Sequence, residues 1–142
     1  MFEEQRIRLN SLPQVDYEEV NKQKRSYLRM LFEQESENIL TSESFEAFFR
    51  DNKEWLIPYA AYSYLRDLNH TSDFNNWGEY SRYDKEQIQE LCNPDSTAYS
   101  KIAFYYFLQY ELHVQLLATS DYARSKGVII KEIFLSVSAV QV

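Results

Sequence analysis

Residues 95–127 decide the fold of this chain, and they read DSTAYSKIAFYYFLQYELHVQLLATSDYARSKG. No proline or glycine interrupts the stretch before Gly127, and Asp95 or Ser96 can cap its start. A lysine followed by glycine is a common helix end, because glycine adopts the left-handed conformation at low cost. The stretch therefore predicts one long helix over about residues 95–127.

The apolar residues of this helix cover more than one of its faces. They are Ile102, Phe104, Tyr105, Phe107, Leu108, Leu112, Val114, Leu116 and Leu117. A helix lying on a surface carries its apolar residues on one stripe. The wider pattern predicts neighbours on several sides and a central place in the fold.

Composition favours a mainly α protein. The 142 residues include two glycines and three prolines, which leaves little room for a fold rich in tight turns. The length suits one domain with its own core.

Five helical segments are expected before the central helix. They cover about residues 2–10, 16–37, 42–49, 53–68 and 84–92. Their expected N-caps include Asp16, Ser42 or Ser44, and Asp84. Pro58 is expected in the first turn of the fourth segment or at a kink, because proline lacks a backbone N–H.

Residues 69–83 lose helical periodicity and contain Gly78. They predict a loop pinned by the rings of Phe74, Trp77 and Tyr80.

The last fifteen residues change character. Val128, Ile129 and Ile130 form a β-branched run directly after a helix end, which is typical of a buried strand. The chain is therefore expected to divide into a helical part, residues 1–127, and a strand segment, residues 128–142. The open edges of that strand favour self-association through residues 128–142.

The net charge of −7 argues against a nucleic-acid partner. The 15 Lys and Arg are outnumbered by 22 Asp and Glu, and nothing concentrates the basic residues. No stretch is long and apolar enough to span a membrane, and the first residues lack a signal-peptide pattern. A cytoplasmic location is the expectation.

The residue types that bind metals or act as nucleophiles are sparse. Cys92 is the single cysteine, and no motif around it supports catalysis, so a buried thiol is the simpler interpretation. His70 and His113 lack partners at zinc-site spacing. No metal site and no cofactor are predicted.

Four ordered stretches resemble a known family. They are LPQVDYE at residues 12–18, FRDNKEWLIPYAAY at 49–62, FLQY at 107–110 and KGVIIK at 126–131. Together they resemble the 4-alpha-glucanotransferases of glycoside hydrolase family 77, also called amylomaltases or disproportionating enzymes. The larger bacterial and plant cytosolic type is the most similar, although Pro58 stands where many members have Asp.

The resemblance implies a helical subdomain beside an eight-stranded β/α barrel, with residues 128–130 in a barrel strand. In this family a carboxylate attacks the sugar and a second acts as acid and base. The resemblance places the nucleophilic Asp, the acid/base Glu and the supporting Asp downstream of this chain. No catalytic residue is assigned, and no activity is expected from this chain alone.

The implied function is that of the intact parent, which transfers α-1,4-glucan segments between acceptors. The alternative is a free-standing helical module that binds a glucan or a protein partner without catalysis. Trp77 and Tyr80 are the best candidates for contact with a sugar, because Trp and Tyr rings stack on sugar faces. Most of the 2 Trp, 12 Tyr and 9 Phe residues lie at helical spacing, which favours core packing instead.

The resemblance ends at Lys131. The family continues with Gly-Asp-Ile-Pro, whereas this chain reads EIFLSVSAVQV from Glu132 to Val142. With suitable codons, one inserted base after the Lys131 codon gives a reading of Gly-Asp-Ile-Pro-Ile. The expectation is a single-base frameshift that produces a truncated chain.

Overall fold

The computed structural model describes residues 2–130, and these residues form a mainly α structure with no strand. The five α-helices are α1 (Phe2–Asn10), α2 (Tyr17–Leu40), α3 (Glu43–Asn69), α4 (Lys85–Leu91) and α5 (Tyr99–Ser125). Two short 3-10 helices, Phe74–Asn76 and Gly78–Ser81, lie between α3 and α4. The predicted fold class is confirmed.

The chain divides into two compact units, Met1–Tyr110 and Glu111–Val142, and the division falls within α5. The first unit contains α1 to α4 and the first part of α5. The second unit contains the rest of α5 and the residues that follow it. The division at residue 127 inferred from the sequence stays a prediction.

Side-chain caps fix the starts of three helices. The carboxylate of Asp16 accepts a hydrogen bond from the N–H of Glu19 at 2.9 Å. Ser42 Oγ accepts from Phe45 N–H at 3.2 Å, and the carboxylate of Asp84 caps α4. These caps satisfy N–H groups that have no partner inside the helix, so the predicted helix starts are confirmed.

The third and fourth predicted helices are one helix, α3, with Pro58 in its interior. Of the two expectations for Pro58, the first turn is wrong, and the kink stays a prediction. Proline has no N–H to donate to the carbonyl of Glu54, so the helix loses one bond there. Buried residues on both sides of Pro58 in the sequence hold the helix together, since Leu56 and Ala60 have no exposed surface.

The start of α5 lies four residues later than about residue 95. The side chain of Asn93 accepts from Asp95 N–H at 3.0 Å, and Ser96 Oγ accepts from Ala98 N–H at 3.2 Å. These bonds build turns before Tyr99, because short polar side chains compete with the helix for backbone groups.

The predicted end of α5 is confirmed in detail. Gly127 has φ of 73°, in the left-handed region, and its N–H donates to the carbonyl of Arg124 at 3.0 Å. The N–H of Val128 donates to the carbonyl of Ala123 at 2.9 Å. These two bonds form a Schellman motif, which ends a helix by satisfying its last carbonyl groups.

The core of the first unit is built on the first part of α5. Every residue from Ile102 to Phe107 is buried. Phe32 of α2 packs against Phe104 and Phe107, with ring centroids 5.7 and 5.4 Å apart. Phe49 of α3 packs edge-on against Tyr106. This part of α5 therefore has the neighbours that its sequence predicts.

The second part of α5 lacks the neighbours that its sequence predicts. Leu112, Val114, Leu116 and Leu117 are between 41 and 58 % exposed. The expectation of neighbours on several sides is wrong for these four residues, because an apolar pattern shows which surfaces can be buried but not which partners cover them. None of the helices between residues 2 and 130 is long and apolar enough to cross a membrane.

The loop after α3 is pinned much as predicted. Trp77 is buried, and its indole N–H donates to the carbonyl of Thr71 at 3.0 Å. Tyr80 packs against the core, whereas the ring of Phe74 is half-exposed.

Residues 128–130 have no regular secondary structure, so the strand predicted to begin there is absent from them. A strand needs a second strand for its hydrogen bonds, and residues 2–130 supply none. The remainder of the predicted strand, residues 131–142, lies outside the described residues.

Replacing Pro58 tests its cost to α3. We expect Pro58→Ala to raise the free energy of unfolding by about 1–3 kcal/mol, because alanine restores the bond to Glu54 and favours the helix. Urea unfolding followed by circular dichroism measures this. Lys53→Ala, at an exposed position of the same helix, is the control and should change little. A destabilised Pro58→Ala would contradict this account.

Candidate functional site

The two residues predicted to contact sugar line one cleft. It has a volume of about 240 Å³ and lies between α3 and the loop that follows it. Its lining includes five aromatic residues, Tyr62, Phe74, Trp77, Tyr80 and Tyr83. The structure therefore places Trp77 and Tyr80 in one aromatic cleft and adds three rings that the sequence analysis did not propose for sugar contact.

The accessible rings of the aromatic cleft are those of Tyr62, Phe74 and Tyr83, which are 40, 52 and 70 % exposed. Trp77 is 6 % exposed and packs against Tyr62, with ring centroids 5.1 Å apart. Trp77 therefore supports the rings of the cleft and presents little surface of its own. The hydroxyl of Tyr62 donates to the carbonyl of Ser72 at 3.4 Å, which helps orient that ring.

Polar groups also face the aromatic cleft. Ser81 and Arg82 contribute hydrogen-bonding groups to its lining. Burial, followed by the charge of Glu79, raises the pKa of Tyr80, so its hydroxyl stays neutral at neutral pH. Aromatic faces combined with a few hydrogen-bonding groups suit a neutral ligand that has apolar faces and hydroxyl edges.

The aromatic cleft lacks the groups that glycosyl transfer needs. Among residues 2–130, its lining contains no Asp or Glu. A nucleophile and an acid/base pair in this chemistry are carboxyl groups on either side of the scissile bond. The cleft can therefore bind a ligand but does not supply the reacting groups.

A second constellation is the arginine cluster, formed by Arg25 and Arg29 of α2 and Arg66 of α3 around Asp67. Arg25 donates to the Asp67 carboxylate at 2.6 Å, and Arg66 donates to it through Nη2 at 3.0 Å. Arg29 reaches Asp67 at 3.8 Å, too far for a hydrogen bond. The Tyr105 hydroxyl of α5 donates to the same carboxylate. One aspartate thus connects α2, α3 and α5.

The electrostatics of the arginine cluster favour a charged Asp67. Burial raises the pKa of Asp67, but the hydrogen bonds from Tyr105 and Arg66 and the charges of Arg25 and Arg66 outweigh it. The net pKa of Asp67 lies below its ordinary value. Burial and the Asp67 carboxylate together raise the pKa of Tyr105, so its hydroxyl keeps its proton.

The sequence analysis did not predict the arginine cluster. Arg25 lies 42 positions from Asp67 and 80 positions from Tyr105. The statement that nothing concentrates the basic residues is wrong at this point, because folding brings together residues that are far apart in sequence. The spacing of Arg25 and Arg29, four apart on α2, was the one local signal.

Other reactive residue types are few, and of these His70 lies beside the arginine cluster. Cys92 is buried as predicted, and burial raises its pKa, which makes it a poor nucleophile. His70 and His113 are both exposed. Among residues 2–130, no three or more His, Cys, Asp and Glu side chains are grouped to hold a metal ion.

The chain matches a family model over residues 1–139, the glycoside hydrolase family 77 model described as 4-alpha-glucanotransferase. The chain belongs to the 4-alpha-glucanotransferase family. The match runs past Lys131 to residue 139, against the expectation that the resemblance ends at Lys131.

Curated relatives carry the same description. The chain is 42 % identical over 117 residues to the 4-alpha-glucanotransferase DPE2 of Oryza sativa subsp. japonica, which covers 82 % of this chain and 12 % of the relative. It is 27 % identical over 124 residues to the 4-alpha-glucanotransferase of Chlamydia pneumoniae and 30 % identical over 125 residues to that of Chlamydia muridarum. Each of these two matches covers 87 % of this chain and 23 % of the relative.

The chain therefore spans between about an eighth and a quarter of the length of these relatives. No solved structure matches it significantly.

Removing the Asp67 carboxylate tests the arginine cluster. We expect Asp67→Asn to lower the free energy of unfolding at pH 7 by about 1–3 kcal/mol, because three arginines and Tyr105 lose a charged partner. Asp51→Asn is the control, since Asp51 pairs with Arg50 at an exposed site and should cost less than about 0.5 kcal/mol.

The same comparison has a predicted pH dependence. The pKa of Asp67 is lower in the folded than in the unfolded chain. Its contribution to the free energy of unfolding is therefore present above about pH 4 and is lost as the pH falls through the pKa of the folded state. The difference between the natural protein and Asp67→Asn should narrow on acidification. Urea unfolding at several pH values measures it, and a difference that grows in acid would contradict the assignment.

Proposed function

We propose that this chain is the helical-subdomain part of a 4-alpha-glucanotransferase that transfers α-1,4-glucan segments between acceptors. The observation that carries the proposal is the family match over residues 1–139. The aromatic cleft supports it, because its rings and hydrogen-bonding groups suit a glucan. In such a parent, the cleft binds glucan and the barrel supplies the carboxylates.

The chain alone is proposed to be inactive. Glycosyl transfer needs two carboxyl groups placed on either side of the reacting sugar carbon. The resemblance places these groups downstream, and the chain spans 12 to 23 % of the curated relatives. The aromatic cleft offers no carboxylate of its own.

An assay with maltotriose tests this inactivity. We expect the purified chain to release no glucose and to form no longer oligosaccharides, because the resemblance places the reacting carboxylates outside it. Chromatography of the products measures both, and the full-length rice relative is the positive control. Any transfer by the purified chain, free of contaminating enzyme, would contradict the proposal.

Glucan is proposed to bind in the aromatic cleft, with Tyr80 and Trp77 in its lining. We expect Tyr83→Ala to weaken maltoheptaose binding about two- to tenfold, since one aromatic contact contributes about 0.5–1.5 kcal/mol beyond its area. Tyr83 is 70 % exposed, so its loss should leave the fold unchanged. Isothermal titration calorimetry measures the affinity.

Tyr122→Ala is the matched control for Tyr83→Ala. Tyr122 is 67 % exposed and lies in the second unit, outside the aromatic cleft. Equal affinity of the natural protein and Tyr83→Ala for maltoheptaose would show that Tyr83 does not contact the glucan. Equal weakening by both variants would show that the binding is unspecific.

The second candidate function is a free-standing helical module that binds a glucan or a protein partner without catalysis. The aromatic cleft favours it as well, because its lining suits binding and has no reacting group. The two candidate functions differ in whether the chain works together with a catalytic barrel. Only the first requires the chain to complete an active enzyme.

Self-association through residues 128–142 is also proposed. Its support is the exposure of Val128, Ile129 and Ile130, which are 56, 90 and 44 % exposed. Light scattering at high concentration should give a mass above that of one chain, and Ile129→Lys should reduce it. The mass of a single chain at high concentration would contradict this.

The location and origin of the chain complete the proposal. A cytoplasmic location is consistent with a glucan-metabolising family. The single-base frameshift after Lys131 stays a prediction, and sequencing the source DNA across that codon tests it. An unbroken frame that continues into barrel sequence after one added base would support it.

A further inference from the structure

The arginine cluster opens onto two adjoining depressions of the first unit. One has a volume of about 300 Å³ and is lined by Arg29, Tyr64 and Lys101 among others. The other, of about 570 Å³, is lined by Arg25 and Arg66 together with hydroxyl-bearing residues. Asp67 and His70 line both. Neither depression shares a lining residue with the aromatic cleft.

Positive charge exceeds negative charge in these depressions. Within residues 2–130, the linings include Arg25, Arg29, Arg66 and Lys101, and Asp67 is the one carboxylate among them. The whole chain carries a net charge of −7, so a local excess of three positive charges runs against its overall balance. One carboxylate can pair fully with only some of these cations.

The guanidinium groups are held in place but remain reachable. Arg25 also donates to the Tyr105 hydroxyl at 2.9 Å, and the guanidinium carbon of Arg29 lies 4.4 Å from the centre of the Phe104 ring. The side chains of Arg25, Arg29 and Arg66 are 41, 44 and 38 % exposed. Ordered arginines that keep unused N–H donors bind tetrahedral anions well, because their planar forks match two oxygens at once.

We propose that the arginine cluster, with Lys101, binds a phosphate monoester carried on a sugar. The dianion would balance the unpaired cations, and Lys101 would supply a mobile point charge beside the arginine forks. Thr71 and Ser72, which line the larger depression, supply hydroxyl groups for the sugar. The phosphate-binding part of this inference does not depend on the glucan function.

A purely structural role does not account for all members of the site. Arg25 of α2 bonds to Asp67 of α3 and thereby ties these two helices together, while Arg66 bonds to Asp67 within α3. Among residues 2–130, Lys101 forms no ion pair, and Arg29 reaches Asp67 only at 3.8 Å. Arg29 and Lys101 can therefore be changed with little effect on the network, and this makes the ligand test separable from stability.

Titration of the full chain with glucose 6-phosphate, at fixed ionic strength, tests the proposal. We expect saturable binding by isothermal titration calorimetry and no comparable binding of glucose. The double variant Arg29→Gln with Lys101→Gln should weaken it about tenfold or more, because it removes charged donors from the phosphate. Its melting temperature without ligand should match that of the natural protein.

The control is Arg50→Gln with Lys53→Gln, which removes the same charge from exposed positions of α3 outside the site. It should bind glucose 6-phosphate like the natural protein. Equal weakening in both double variants would overturn the proposal, since it would indicate unspecific attraction. Absence of saturable binding to the natural protein would overturn it as well.

Two sources of the phosphate are separated by the choice of probe. A maltooligosaccharide that carries one phosphate is compared with glucose 6-phosphate and with the neutral oligosaccharide. Tighter binding of the phosphorylated oligosaccharide assigns the site to phosphorylated glucan. Equal affinity for both phosphorylated probes assigns it to a free sugar phosphate. A finding that the parent enzyme does not transfer glucan would leave the phosphate-binding result unchanged. The proposed transfer function and the proposed phosphate site can therefore fail independently.

Discussion

Burial of the first part of α5 is the constraint on which the described fold depends. Six consecutive residues, Ile102 to Phe107, lie on all sides of the helix and are all buried. Such a helix is stable only when other helices surround it, so α2 and α3 must pack against it. The rings of Phe32 and Phe49 make these contacts. Because the polar groups of Tyr105 also need partners, the same packing places Asp67 and its arginines beside α5.

The two candidate binding regions follow from the last turns of α3. Tyr62 and Leu65, three apart, share a face and line the aromatic cleft. Arg66 and Asp67 directly follow and belong to the arginine cluster. One helix end thus presents aromatic rings to one region and charged groups to another.

The features that could be predicted from the sequence are local. Caps such as Asp16 and Ser42, and the stop at Gly127, depend on a few neighbouring residues and were correctly placed. The break predicted at Pro58 was wrong because the loss of a backbone hydrogen bond at proline is a local effect. The continuity of α3 across Pro58 depends on the packing of its buried face. The arginine cluster depends on pairs up to 80 positions apart, which no pattern in a single sequence reveals.

The most direct test of the central claim is a chimera in which residues 2–130 replace the matching segment of the rice 4-alpha-glucanotransferase DPE2. The claim is that these helices form a working part of a glucanotransferase. It predicts that the chimera folds and transfers glucan segments between maltooligosaccharides. A chimera that folds with native-like melting but transfers nothing would contradict it, and would leave the chain as a binding module.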